Sequence, residues 1–175
     1  MLKEQVRDAD AIFCCTPSTK PLFPGEYLTS PEGRRKGRYV SLIGSYQPHM
    51  VEIDPEILRQ AVAPEHGKHH HRHASRGGVV IVDSLEACLK EAGEVIQAGL
   101  GAEQLVEVGE LILIKRAVSK EMEMGGAGEE GLVKWLRGGN VIYKSVGLGL
   151  MDLCVGEDLV MLAGERGIGT RVEDF

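Results

Sequence analysis

One recurring pattern constrains what this chain can fold into: short β-branched apolar runs that end at small and polar residues. The run at 39–43 ends at Gly44 and Ser45, and the run at 141–144 ends at Ser145. Such runs are typical of strands that are buried on both faces of a parallel sheet. In open α/β sheets, cofactors and substrates bind where the strands end. The pattern therefore predicts an α/β protein with a ligand crevice at the carboxyl ends of its strands.

Helix patterns alternate with these apolar runs. The predicted strands cover residues 11–15, 39–43, 78–82 and 140–144. Asp54 before Pro55 predicts a capped helix start, and Ser84 predicts a second one, for a helix over 85–98. A long helix is predicted at about 148–166, whereas the pattern between 99 and 138 is less regular. The alternation predicts a parallel sheet with right-handed crossovers.

Composition and charge narrow the possible functions. The chain has 175 residues, of which 43% are apolar and 26% charged, as in one globular domain with a sizeable core. The net charge of −6 argues against a nucleic-acid partner, because phosphate binding requires an excess of Lys and Arg on one face. No apolar run is long enough to cross a bilayer, and the first eight residues contain no apolar signal core. We expect a cytoplasmic protein that binds neither membrane nor nucleic acid.

Cysteines and histidines do not predict a metal site. The four cysteines lack Cys-x-x-Cys spacing and lie in apolar patterns, which favours reduced core residues: Cys14, Cys15, Cys88 and Cys154. Five histidines crowd one stretch between a helix and a strand: His66, His69, His70, His71 and His73. Glu65 is the nearby acid, and nothing in the stretch fixes a ligand geometry. We therefore predict an exposed loop with adventitious Ni or Zn affinity.

Residues 9–18, the two segments described above and the C-terminal helix running to 167–170 together resemble the ornithine cyclodeaminase/mu-crystallin family. The order, the spacing and the final strand, Ser-Val-Gly and helix all match. Members of that family are NAD(P)-dependent, with an N-terminal substrate-binding and dimerisation region followed by a Rossmann domain. The resemblance implies that residues 1–147 form a partial NAD(P)-binding Rossmann-like domain, the second half of its sheet, with a His-rich insert at 65–76. Residues 148–175 would form a C-terminal helix and tail.

The phosphate-binding half of a Rossmann domain is not predicted here. No G-x-G-x-x-G directly follows a predicted strand. The basic residues Arg34, Arg35, Lys36 and Arg38 could be a phosphate clamp, but a solvated loop is the better interpretation because no helix N-terminus accompanies them. The resemblance implies NAD or NADP as cofactor, and we expect the chain alone to bind either dinucleotide weakly.

The resemblance also implies which residues form the site. The implied cofactor-binding residues are Thr16, Ile43, Gly44, Ser45, Tyr46 and Ser145. Val146 is the implied substrate contact. We interpret Glu52 and Asp152 as structural residues, near a helix start and in a first helical turn respectively.

Two positions depart from the cyclodeaminases of the family. Tyr46 stands where those enzymes carry an aspartate, and Met50 stands where some members carry a lysine. A phenol donates a hydrogen bond at neutral pH but is a poor general base. Tyr46 is therefore the candidate catalytic residue, and the departure favours imine reduction over the loss of ammonia from ornithine.

Three interpretations of function stay open at this point. The chain can be part of an NAD(P)-dependent oxidoreductase or a lyase of the cyclodeaminase type, acting on a small amino acid or cyclic imine in a biosynthetic pathway. That interpretation requires a homodimer or a partner chain that supplies the N-terminal half. The alternatives are an inactive remnant and a ligand-binding module without turnover.

Overall fold

The computed structural model describes residues 1–63, 78–113, 116, 140–170 and 172. The predicted His-rich insert at 65–76 lies outside the described residues. Within the less regular segment between 99 and 138, residues 114, 115 and 117–138 also lie outside the described residues. Among the described residues, no helix is long and apolar enough to cross a membrane.

A five-stranded parallel sheet forms the centre of the described structure. Its strands are β1 (Ala11–Cys14), β2 (Arg38–Leu42), β3 (Val80–Val82), β4 (Leu105–Glu107) and β5 (Asn140–Lys144). The spatial order is β1-β2-β5-β3-β4, and every pairing is parallel. The predicted α/β class and parallel sheet are confirmed. The four predicted strands are all present, whereas β4 was not predicted, because three residues show no clear period.

The helices alternate with the strands along the chain, and the first helix precedes β1. They are α1 (Leu2–Asp8), α2 (Glu26–Thr29), α3 (Pro55–Val62), α4 (Leu85–Glu91), α5 (Gly93–Ala98) and the C-terminal helix (Gly149–Arg166). Residues 108–113 are also helical. Both predicted caps are present: the Asp54 side chain accepts from Glu56 N, and the Ser84 side chain accepts from Ala87 N. These caps fix where α3 and α4 begin.

The predicted single helix over 85–98 is wrong in one respect. It breaks at Ala92, whose backbone is extended, and α5 begins at Gly93. A side chain at Gly93 would overlap the carbonyl oxygen of Met50, so only glycine permits this approach. The break brings the start of α5 against the loop that follows β2.

The main hydrophobic core lies on one face of the sheet. Ile12, Val40 and Ile142 pack there against α1 to α5. Because β1, β2, β3 and β4 follow each other in one direction across the sheet, their right-handed crossovers place α2 to α5 on the same face. A smaller cluster of Val79, Ile81, Val106 and Val141 covers part of the opposite face.

Two apolar regions of the described structure remain exposed. On the second sheet face, the rings of Phe13 and Tyr39 meet edge to face with their centroids 5.9 Å apart, and Phe13 is 67% exposed. The C-terminal helix is exposed along its whole length apart from the half-buried Ala163. Its exposed residues include Leu150, Leu153, Val155, Leu159, Val160 and Met161.

Three sequence-based expectations for individual side chains need correction. Cys14 and Cys88 are buried as predicted, but Cys15 and Cys154 are exposed, because Cys15 follows the edge strand β1 and Cys154 lies on the exposed helix. Arg38 does not belong to a solvated basic loop. It is buried in β2 and donates to the carbonyl oxygens of Gly33 and Arg7.

Candidate functional site

The loops after β1, β2 and β5 meet at one edge of the sheet. We call this the carboxyl edge and define it by Thr16, Gly44 and Ser145. Strand register brings them together: the Ile43 N–H donates to Cys14 O at 3.0 Å, and the Ser145 N–H donates to Leu42 O at 3.0 Å. Thr16, Gly44 and Ser145, three of the implied cofactor-binding residues, therefore lie together at the strand ends.

Gly44 lies directly against the backbone of Thr16. A β-carbon at position 44 would overlap the Thr16 carbonyl oxygen and amide nitrogen. Backbone atoms cannot move aside as a flexible side chain would, so this position requires glycine. The close approach brings the two loops into direct contact.

The Glu52 side chain forms hydrogen bonds to both of these loops. Its carboxylate is fully buried. Oε1 accepts from the Thr16 N–H at 2.6 Å and from the Thr16 hydroxyl at 3.0 Å, and Oε2 accepts from the Gly44 N–H at 2.8 Å. One side chain thus satisfies backbone donors of both loops, as the predicted structural role of Glu52 requires.

A second buried carboxylate, Glu94 in α5, extends these contacts to β5. Its Oε1 accepts from the Glu52 N–H at 2.6 Å, and its Oε2 accepts from the Ser45 hydroxyl. Lys144 Nζ lies 3.5 Å from Glu94 Oε2 and also donates to the Ser45 hydroxyl oxygen. Ser45, Glu52, Glu94 and Lys144 are all fully buried, and we call them the polar network.

Asp83, at the end of β3, holds the loop that follows β5. Its Oδ2 accepts from the Ser145 hydroxyl at 2.5 Å, the Val146 N–H at 3.1 Å and the Gly147 N–H at 3.0 Å. Burial alone would raise the pKa of Asp83, but hydrogen bonds from Ser145, Gly147 and Ser84 outweigh it and lower the pKa below its ordinary value. Asp83 therefore stays ionised and fixes the Ser-Val-Gly turn.

The described residues offer no metal site at this edge, and the buried thiols Cys14 and Cys88 are not activated. No group of three or more potential ligands lies together in the described ranges. Burial raises the pKa of Cys14 to about 12, and burial likewise raises that of Cys88 to about 12. A thiol with such a pKa is protonated at neutral pH and is not a nucleophile.

Known proteins resemble this chain over most of its length. No protein-family model matches it. A Delta(1)-pyrroline-2-carboxylate reductase of Bacillus cereus is 30% identical over 175 residues, which cover 97% of this chain and 42% of that protein. The ketimine reductase mu-crystallin of Mus musculus is 32% identical over 111 residues, 63% of this chain and 28% of that protein. The chain belongs to the ornithine cyclodeaminase/mu-crystallin family.

Solved structures agree with this assignment. A probable ornithine cyclodeaminase from Bordetella pertussis superposes with a TM-score of 0.58 at 30% identity, over 97% of this chain and 44% of that one. The Thermococcus litoralis Delta(1)-pyrroline-2-carboxylate reductase, solved with NADH and L-proline, superposes with a TM-score of 0.63. At 20% identity, over 97% of this chain and 42% of that one, the latter match shows the fold alone. The chain spans less than half the length of these relatives.

The residues that the family resemblance singles out differ in exposure. Thr16 is exposed, as are Ile43 and Tyr46, at 44% and 46% respectively. Ser45 is fully buried, and its hydroxyl bonds within the polar network. Ser145 is also buried, and Val146 is half-buried. Their cofactor and substrate roles remain predictions.

Sequence reasoning missed Glu94, Asp83 and Lys144 as organisers of this edge. Each carried a weak signal. Glu94 interrupts the apolar pattern of a short helix, Asp83 ends an apolar strand, and Lys144 is a charge at the last position of a buried one. Acidic and basic residues in buried positions are usually paired, but the partner cannot be read from one sequence.

Proposed function

We propose that this family member forms the nicotinamide-binding side of a cytoplasmic NAD(P)-dependent oxidoreductase that reduces a small cyclic imine of the amino-acid type. The observation that carries the proposal is the arrangement of the carboxyl edge. Thr16, Gly44 and Ser145 lie side by side where a parallel α/β sheet binds its ligand. The names of the relatives, a pyrroline-carboxylate reductase and a ketimine reductase, support this class of substrate.

The chain's own residues would bind and orient the reactants. Thr16, Ile43, Gly44, Ser45 and Ser145 would contact the cofactor, with backbone atoms at Gly44 and Ser45 because one has no side chain and the other is buried. When bound, the reduced nicotinamide would supply a hydride to the imine carbon and would leave as the oxidised dinucleotide, while the imine nitrogen would take one proton from water.

Tyr46 and Val146 would face the substrate. The Tyr46 side chain is 46% exposed just beyond Gly44, so its hydroxyl is available to donate a hydrogen bond to an imine or carboxylate. The half-buried Val146 would contact the apolar ring. Ornithine deamination, a lyase reaction, calls for an acid–base group, and Tyr46 stands where the cyclodeaminases carry an aspartate, so we propose reduction as the preferred chemistry.

A completing polypeptide is part of this proposal, either a partner chain or a second subunit of a homodimer. None of the five described strands leads into a G-x-G-x-x-G turn, which would hold the dinucleotide phosphates. The C-terminal helix and the Phe13 side of the sheet are exposed apolar surfaces of a kind that packs inside larger assemblies. The domain limits of 1–147 and 148–175 belong to the same proposal.

Activity of a completed protein tests this function. The chain would be fused to the part of the Bacillus cereus reductase that it does not match, and assayed with Delta(1)-pyrroline-2-carboxylate plus NADH or NADPH. We expect imine-dependent oxidation of the dinucleotide, and less ammonia release from ornithine. Ornithine turnover above imine reduction would contradict the chemistry, and binding without turnover of either substrate would favour a ligand-binding module.

Tyr46→Phe in the same fusion tests the residue assigned to the substrate. We expect the rate of imine reduction to fall by about tenfold to a hundredfold, because one hydrogen-bond donor to the reacting group is lost. Tyr39→Phe, in β2 and away from the carboxyl edge, is the matched control. Equal rates for Tyr46→Phe and the unmodified fusion would remove Tyr46 from the mechanism.

A further inference from the structure

We propose that Glu52 and Glu94 act as one positioning unit for the cofactor side of the carboxyl edge. Both side chains are fully buried, so neither is placed to touch a ligand. Through them, the loop after β1, the loop after β2 and the end of β5 are held in one arrangement. The inference rests on the proposed function only in naming the ligand of that edge as the nicotinamide.

Glu52 performs its part because it is a carboxylate rather than an amide. It accepts three hydrogen bonds on two oxygens, from the Thr16 N–H, the Thr16 hydroxyl and the Gly44 N–H. A glutamine at this position has one oxygen and one NH₂ group, and the NH₂ group would face a donor. It could therefore satisfy the Thr16 side or the Gly44 side, but not both.

Glu94 couples this arrangement to β5. Its Oε1 accepts a hydrogen bond from the Glu52 N–H at 2.6 Å. Its Oε2 accepts one from the Ser45 hydroxyl and lies 3.5 Å from Lys144 Nζ. Lys144 directly precedes Ser145, the residue that the family resemblance assigns to the cofactor. A shift of Glu94 would therefore be transmitted to all three loops.

The cost of burying these groups supports a positioning role. The polar network places two carboxylates and one ammonium group in a fully buried region. Well-packed apolar residues commonly match or exceed the stability of such buried ion pairs. A hydrogen-bonded network also fixes the geometry of the groups that it joins. Hydride transfer requires such geometry, because small misplacements of the reacting groups lower its rate greatly.

Amide hydrogen exchange on the isolated chain tests the structural part. In Glu52→Gln, we expect the Thr16 or the Gly44 amide to exchange at least about tenfold faster than in the unmodified chain, because one of them loses its acceptor. Glu56→Gln, an exposed acid on α3, is the matched control and should leave both rates unchanged. Glu94→Gln should change the exchange rate of the Glu52 amide, whose acceptor is Glu94 Oε1. Unchanged Thr16 and Gly44 rates in Glu52→Gln would overturn the proposal.

Kinetics of the fused enzyme separate positioning from mere stability. At a temperature where Glu52→Gln is fully folded, we expect kcat to fall by about tenfold or more while KM for NADH changes less than about twofold. The primary isotope effect with 4-deuterated NADH should rise as hydride transfer becomes limiting. A raised KM with unchanged kcat would overturn the positioning role. An inactive unmodified fusion would contradict the proposed function and leave the exchange result on the isolated chain standing.

Discussion

The C-terminal helix differs in burial from the sheet and α1 to α5, which we call the sheet region. In the sheet region, even charged groups such as Glu94 and Lys144 are fully buried and paired. In the helix, Leu159 and Val160 are 64% and 73% exposed. The sheet region pairs Glu94 with Lys144 and packs its own core, whereas the helix presents apolar side chains on all sides.

This difference distinguishes a region that buries its own core from a helix whose apolar side chains are exposed in the described structure. A helix that is apolar all round is normally buried in a larger protein. The sheet region has a core of its own, because α1 to α5 pack against one face of its strands. Substitutions in the sheet region should therefore lower the free energy of unfolding, whereas equivalent substitutions in the helix should not lower it.

The largest effect is expected for Lys144→Met. The substitution keeps most of the side-chain volume but leaves Glu94 buried without its cation. Breaking a buried pair in this way costs about 3–5 kcal/mol, which urea unfolding followed by circular dichroism would measure. Arg166→Met at the end of the exposed helix is the control, with little expected change.

Adding Glu94→Gln to Lys144→Met sharpens the result. The double variant removes the unpaired charge as well as its partner, so part of the lost stability should return. A loss below about 1 kcal/mol for Lys144→Met alone would mean that Glu94 is not held as a buried anion.

A matched pair of glycine substitutions compares the two regions directly. Gly44→Ala forces a β-carbon into the backbone of Thr16, and we expect a loss of about 2 kcal/mol or more in the free energy of unfolding. Gly156→Ala in the C-terminal helix meets no atom within 4 Å and replaces glycine in a helix interior. It should favour the helix by up to about 1 kcal/mol, seen as increased helical circular dichroism. Equal losses at both positions would contradict the comparison.

Local sequence patterns predicted the strands and the capped helix starts of this structure well. The caps at Asp54 and Ser84 and the apolar run of β2 each depend on neighbouring residues, so the sequence carried enough information to place them. The break at Ala92 was missed because it depends on Gly93 meeting the Met50 carbonyl, a contact between residues 43 positions apart. Helix propensity alone favours continuity there.

The candidate site was predictable in its position but not in its organisation. Strand ends indicated Gly44 and Ser145, because parallel strands share one ligand-binding edge, and the family resemblance added Thr16. The hydrogen bonds that hold this edge join residues far apart in sequence, as Glu94 with Ser45 and Asp83 with Ser145. Such pairings follow from tertiary packing, and a single sequence contains no periodic signal for them.

The smallest expected effect is the pH dependence of Asp83→Asn. Because hydrogen bonds hold the pKa of Asp83 below its ordinary value, the ionised side chain stabilises the folded state above about pH 3.9. That contribution is lost as the pH falls through the folded-state pKa. Asparagine cannot accept all these donors and does not titrate, so the variant should be less stable at pH 7.

Urea midpoints measured between pH 7 and pH 3 would follow the difference between the unmodified chain and Asp83→Asn. The gap should be widest at neutral pH and should narrow below about pH 4. Asp152→Asn, in the first turn of the exposed C-terminal helix, is the matched control and should stay close to the unmodified chain throughout. A gap for Asp83→Asn that is constant down to pH 3 would mean that its carboxylate does not hold the Ser145 to Gly147 turn by charge. The neutral hydrogen bonds would then suffice to fix that turn.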